Sequence, residues 1–118
     1  MIYCFDLDDT ICYPNHNETD TFEKYGKALP NHKMIAVINE LHETNKIIIH
    51  TARRMLTHSG NLDMIMKDVG EITEDWLEEN GVKYDELIFG KPYADFYIDD
   101  KAINSTDIEI NFPQYKDI

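Results

Sequence analysis

Asp6, Asp8 and Asp9 place three carboxylates within four positions at the end of the apolar run that opens the chain, MIYCFDLDDT. Two unit charges about 4 Å apart repel by roughly 4 kcal/mol at an effective dielectric of 20, so converging carboxylates need a cation, a proton or distance. A second acidic pair, Asp99 and Asp100, follows the apolar stretch FYI. Between the two acidic stretches stand a few cations in defined places: Arg53 and Arg54 after KIIIHTA, and Lys91 after Phe89-Gly90. Such a mixture suits phosphoryl chemistry. A carboxylate can attack a phosphate dianion only if a metal ion and a fixed cation absorb the charge on the phosphoryl oxygens.

The elements that would position these groups can be read from periodicity. Residues 2–7 form a short β-prone run ending in acids, as a buried parallel strand does when its carboxyl end opens onto a site. Residues 12–30 hold prolines, Gly26 and no sustained period, which predicts a loop with at most a small hairpin. Its 14–29 portion follows the acidic strand directly and is a candidate flap over a pocket. Asn31 is a plausible N-cap, and Met34, Val37, Ile38 and Leu41 keep the spacing of one helical face, so a helix is predicted to near Asn45. Lys46 to His50 reads as a second strand, buried on both faces. A further helix is predicted over 62–80, with Val69, Ile72, Trp76 and Leu77 on one face, Gly70 as a place to kink and Gly81 as its stop. Residues 84–89 and 96–98 read as third and fourth strands. This alternation predicts an α/β fold: a single Rossmann-like domain over residues 1–118, with a parallel central sheet flanked by helices. In such sheets ligands bind beyond the carboxyl ends of the strands, where Asp6, Asp8, Thr51, Arg53, Lys91, Asp99 and Asp100 all fall.

Charge narrows the partners. Net charge is -12, from 23 acids against 11 lysines and arginines, so duplex nucleic acid is not an expected partner unless a local basic patch or metal ions offset the field. A small anionic substrate fits if the cations gather at one site. No stretch approaches the roughly 18 apolar residues of a membrane span. Acids by residue 6 do not match a secretory signal, and two cysteines, Cys4 and Cys12, give no disulfide framework; a cytoplasmic location is expected, with both thiols buried or incidental. The five histidines lack the spacing of a helical zinc site.

Taken in order, DLDDT, the Thr of HTAR, the Lys of GKP and the acidic pair of YIDDK resemble the four motifs of the haloacid dehalogenase superfamily of phosphotransferases, across residues 1 to about 103. The resemblance implies a haloacid-dehalogenase-like fold and a phosphatase that works through an aspartyl-phosphate. Asp6 would be the nucleophile and Asp8 the general acid and base. Thr51 and Lys91 would be catalytic and bind the transferred phosphoryl group. Mg²⁺ would be the cofactor, with Asp6, Asp8 (through its backbone carbonyl), Asp99 and Asp100 as its metal set, the last acting through water. Arg53 or Arg54 would bind the anionic part of the substrate, or else form a surface salt bridge.

One departure from the family pattern stands out: only residues 92–95 separate Lys91 from the predicted fourth strand, whereas a parallel return ordinarily needs a dozen or more. Lys83 is the alternative lysine. Neither usual insertion point has room for a cap domain, so a capless enzyme is expected, its site closed by the 14–29 flap, the 54–61 loop or a second subunit of a homo-oligomer. The nearest resemblance is to small bacterial capsule- or lipopolysaccharide-associated phosphatases. The expected substrate is therefore a small phosphorylated metabolite such as a sugar phosphate. A nucleotide comes next, because YIDDK also resembles the ending of deoxyribonucleotidases; a polynucleotide 3'-phosphatase is disfavoured by charge. A phosphoreceiver signalling domain would need its acceptor Asp where this chain has Phe89-Gly90-Lys91. A non-catalytic metal-binding partner protein stays open.

Overall fold

A computed structural model describes residues 1–117. Its centre is a three-stranded parallel sheet of β1 (Ile2–Asp6), β4 (Lys46–Thr51) and β5 (Glu86–Phe89), in the order β1-β4-β5. β4 pairs with both neighbours, Asp6 lying opposite His50 and Thr51 opposite Phe89. The carboxyl ends of all three strands therefore open at one end of the sheet. Between β1 and β4 come a two-stranded hairpin, β2 (Cys12–Tyr13) with β3 (Leu29–Pro30), and the helix α1 (His32–His42). Between β4 and β5 run α2 (Leu62–Ile65), a π-helical turn at Met66–Gly70 and α3 (Glu71–Glu79). The α/β alternation read from the sequence holds.

Local chemistry explains the boundaries. Asn31 accepts from the Met34 amide and caps α1, while its own side-chain amide donates to the Thr10 carbonyl, so one residue starts the helix and ties down the acidic loop. Asn61 caps α2 in the same way. The helical stretch of 62–79 widens into a π turn that includes Gly70, the residue where the sequence predicts a kink. α1 turns Met34, Ile35, Val37, Ile38 and Leu41 inward, and α3 contributes Trp76 and Leu77; together they bury Phe5, Ile47 and Ile49 of the sheet. Toward the C-terminal side a short helix, α4 (Ile108–Asn111), and a 3-10 turn at Pro113–Tyr115 dock Ile108 and Tyr115 into the same core and set Phe112 edge-on to Tyr3. A smaller cluster, Tyr25, Ile65 and Val69, lies between the 14–29 segment and the π turn.

Two expectations are corrected. β4 is central but buried on one face only: Ile47, Ile49 and Thr51 are enclosed, while Ile48 and His50 are half-exposed and Ile2, Cys4 and Ile88 beside them are exposed. No helix of the described residues covers that second face. Nor does residues 96–98 form a strand; it is irregular, with Phe96 and Ile98 exposed, and the outer edge of β1 has no strand beside it among the described residues. The physical reason is the four-residue link. It is too short for the crossover that would carry the chain back parallel to β1. Of the cysteines, Cys12 is buried and Cys4 exposed. No helix among the described residues is long and apolar enough to cross a membrane.

Candidate active site

Leu7 is fully buried, and strand alternation therefore throws its neighbours Asp6 and Asp8 to the opposite side, toward the open end of the sheet. The chain then turns sharply. The Leu7 carbonyl accepts from the amides of Thr10, Ile11 and Cys12 at 3.2, 2.8 and 3.3 Å, and Asp9 takes the left-handed conformation with φ of 63°. Asp tolerates that region better than most residues, which is one reason an acid stands there. Thr10 donates to Asp6 Oδ2 at 3.4 Å, and His16 pairs with Asp9 at 3.1 Å. Thr10 thus helps to orient the first acid.

At the end of β4, Thr51 is buried, and its hydroxyl oxygen accepts from the Arg53 amide at 3.1 Å. A hydroxyl whose lone pair is engaged in this way keeps its own proton to donate. The Lys91 amide donates to the Thr51 carbonyl at 3.1 Å, which carries the β4–β5 pairing one step past the strand. Gly90 makes this turn. It sits at φ of 96°, and a Cβ there would come within 2.9 Å of Leu62. Two strand spacings separate β5 from β1, roughly 10 Å, a gap that only a long side chain crosses. Lys91 does cross it, with Nζ 3.4 Å from Asp6 Oδ1 and 4.3 Å from the centre of the Tyr97 ring. The same ammonium, after burial, pushes the His50 imidazole below its ordinary pKa.

Arg53 takes a place that its sequence position does not disclose. Its side chain is fully enclosed, and its guanidinium donates from Nη2 to Asp8 Oδ1 at 2.8 Å, from Nε to Asp8 Oδ1 and Oδ2 at 3.1 and 3.0 Å, and from Nη1 to Thr73 at 2.8 Å. Burial alone would lower its pKa; the hydrogen bonds and charge of Asp8 outweigh this and leave it raised. Burial and then the Asp8 carboxylate push the Cys12 thiol up, so it stays protonated and donates to Asp8 Oδ1 at 3.4 Å. Arg54, at φ of 59°, turns the other way and meets Asp68 at 3.2 Å, where His58 also pairs. Thr21 donates to Asp68 as well, which fastens the 14–29 segment to the helical layer. Tyr25 of that segment is buried over both arginines, its ring centre 4.4 Å from the Arg53 guanidinium carbon and 5.1 Å from that of Arg54.

These residues surround a pocket of about 450 Å³ lined by Asp6, Asp8, Thr51, Arg53, Arg54 and Tyr25, with Lys24, His16, Tyr93 and Tyr97 among its other walls. The predicted site residues thus fall into two groups. Asp6, Asp8, Thr51, Arg53 and Lys91 are brought together. Asp99 and Asp100 are not: both are exposed on irregular chain, and Asp99 accepts only from the nearby Lys101 amide at 2.9 Å, a bond that holds its carboxyl below the usual range. The anticipated metal set of Asp6, Asp8, Asp99 and Asp100 is therefore unassembled, and among the described residues no three His, Cys, Asp or Glu side chains converge on a cation position. Sequence reading misses Tyr25, Thr73 and Asp68. Each acts across the fold and carries no local signal.

A structural-genomics target from Vibrio cholerae superposes on this chain with a TM-score of 0.82 at 33% identity, over 97% of this chain and 92% of that one. The two proteins belong to one family. The likeness spans nearly the full length of both chains. Chains of the Pnkp1/Rnl/Hen1 complex and of the Pnkp1/Rnl/Hen1 RNA repair complex match with TM-scores of 0.56 and 0.53, at 20% and 19% identity, over 94% of this chain. This chain spans about a third of their length, 33% and 31%, and at these identities the likeness is one of fold. No family model matches the chain, and no curated protein matches it by sequence.

Proposed function

We propose that the protein is a phosphomonoester hydrolase of the haloacid dehalogenase type, acting through an aspartyl-phosphate on a small phosphorylated metabolite, a sugar phosphate first. The observation that carries this reading is the meeting of Asp6 and Lys91 at 3.4 Å beside the buried Thr51, at the open end of a parallel sheet. An Asp6 oxygen attacks phosphorus, the bond from phosphorus to the ester oxygen breaks, and Asp8 gives that oxygen a proton. Asp8 then takes a proton from water, whose oxygen attacks phosphorus and releases phosphate and Asp6. Lys91 offsets the charge of nucleophile and phosphoryl group, and the free Thr51 proton is placed for a phosphoryl oxygen.

Mg²⁺ belongs to the proposal as a requirement on the chain. The carboxylates as arranged do not fit a divalent ion, because Asp99 and Asp100 stand apart from Asp6. A nucleotide is the second substrate reading, supported by Tyr93 and Tyr97, whose exposed rings line the pocket and offer stacking faces. One of the fold neighbours belongs to an RNA repair complex, which keeps a polynucleotide 3'-phosphate as a substrate to try, against the charge of -12.

The test is hydrolysis of an aryl phosphate with Mg²⁺, its loss with EDTA, and a screen of phosphosugars, nucleotides and 3'-phosphorylated oligonucleotides. Asp6→Asn should lower turnover by at least about 10³-fold, the scale on which covalent hydrolases lose activity with their nucleophile. Thermal unfolding should be unchanged. Undiminished activity in that variant would falsify the nucleophile assignment.

A further inference from the structure

The guanidinium of Arg53 is spent inside the protein rather than presented to a ligand. Its side chain has no exposed surface, Tyr25 stacks on it at 4.4 Å, and its N–H groups go to Asp8, Thr73 and, at 3.5 Å, Cys12. It is therefore neither a surface salt bridge nor free to grip substrate. The contacts on the two oxygens of Asp8 are unequal. Oδ1 receives Nη2, Nε and the Cys12 thiol at 2.8, 3.1 and 3.4 Å; Oδ2 receives only Nε, at 3.0 Å. Oδ1 is saturated, and Oδ2 keeps the lone-pair capacity to exchange a proton.

We propose that Arg53 is a positioning residue that locks Oδ1 of Asp8 and so selects Oδ2 as the single oxygen for proton transfer, with Thr73 and Tyr25 holding the guanidinium in turn. This inference rests on the phosphatase reading above and deepens it. In the first half-reaction the proton on Oδ2 passes to the ester oxygen as its bond to phosphorus breaks; in the second, Oδ2 takes a proton from the water whose oxygen bonds to phosphorus as the bond to Asp6 breaks. A planar fork suits this task because it fixes the plane of the carboxylate as well as its place, which a single ammonium cannot do. Thr73, one turn before Trp76 on α3, supplies the register, and the 14–29 segment supplies the lid.

A leaving-group comparison separates positioning from binding and from folding. For the wild type, Arg53→Lys and Thr73→Val, kcat/KM is measured with saturating Mg²⁺ on dinitrophenyl phosphate, whose leaving group needs no proton, and on a simple alkyl phosphate, whose leaving group does. Removal of a general acid typically costs 10²–10⁴-fold. Arg53→Lys should therefore lose about 10²-fold or more on the alkyl ester and less than about tenfold on the activated one, with a burst of dinitrophenolate as the phosphoenzyme accumulates. Thr73→Val, which takes one acceptor from the buried guanidinium, should fold with a lowered melting temperature and show the same split at smaller size. It decides the matter if Arg53→Lys does not fold. Equal losses on both esters, or a loss confined to KM, would overturn the proposal while leaving the phosphatase intact. A wild type inert toward both esters would end the phosphatase reading and this inference together.

Discussion

The two acidic stretches of the chain are held very differently. Asp6 and Asp8 are gripped from several directions, by Lys91 and Arg53 from far along the chain and by Thr10 and Cys12 from four residues away. Asp99 and Asp100 form an acidic pair as well, yet both lie on exposed irregular chain, where Asp99 accepts from the Lys101 amide two residues away. The difference teaches that a motif specifies which groups are present, whereas the secondary structure around it decides whether they are in place. DLDDT follows a strand whose alternate residues are locked into the core by Phe5 and Leu7. YIDD follows a stretch whose Phe96 and Ile98 find nothing to bury against, so no burial energy opposes the entropy of leaving it irregular.

That contrast can be tested, starting where the effect should be largest. Lys91→Met keeps the stem of the side chain and removes the charge facing Asp6. We expect turnover to fall by about 10²–10³-fold, the scale of one preorganised charge-stabilising group, with little change in melting temperature because the Lys91 side chain is partly exposed. Wild-type rates in Lys91→Met together with a loss in Lys83→Met would move the role to the alternative lysine.

Asp99→Asn addresses the unheld pair. If the phosphatase reading is right, this acid must join Asp6 in the working enzyme, so turnover should fall on the order of 10²-fold and the Mg²⁺ needed for half-maximal rate should rise. The melting temperature should stay at the wild-type value, as for other exposed positions. An activity indistinguishable from wild type would mean that the exposed placement is the functional one, and the contrast between the two acidic pairs would then be a contrast between site and surface.

The smallest effect concerns an acid that is gripped without belonging to the site. Asp85 accepts from the Ile47 amide at 2.8 Å, and that backbone hydrogen bond holds its carboxyl below the ordinary value. A folded-state pKa below the unfolded one means that the ionised carboxylate stabilises the fold above the unfolded pKa, and that this contribution is lost as pH falls through the folded value. Asp85→Asn should therefore be slightly less stable than wild type at neutral pH, and the two should converge on acidification. Urea midpoints measured across the acid range would show it; parallel curves would remove Asp85 from the held class.

Much of the molecule was legible because it depends on neighbours in sequence. The Asn31 cap, the apolar stripe of α1 and the isoleucines of β4 all act within one turn or one strand, and each left a pattern. The small hairpin was legible for the same reason. Other features were misread: the second face of β4, and the strand at 96–98. A run of β-prone residues states a preference, but whether a strand forms depends on a partner edge and on a link long enough to reach it.

What the sequence determined by itself is the cast: acids, one threonine and one lysine at strand ends, in an order that only a parallel α/β sheet brings to a common edge. What the tertiary structure alone decided is who holds whom. Arg53 reaches Asp8 across 45 positions and Thr73 across 20, and Tyr25 covers it from the hairpin; none of these pairings has a local period to announce it. They follow from the burial of a guanidinium, whose cost in a low-dielectric interior is offset only where an ionised carboxylate and further hydrogen-bond acceptors surround it.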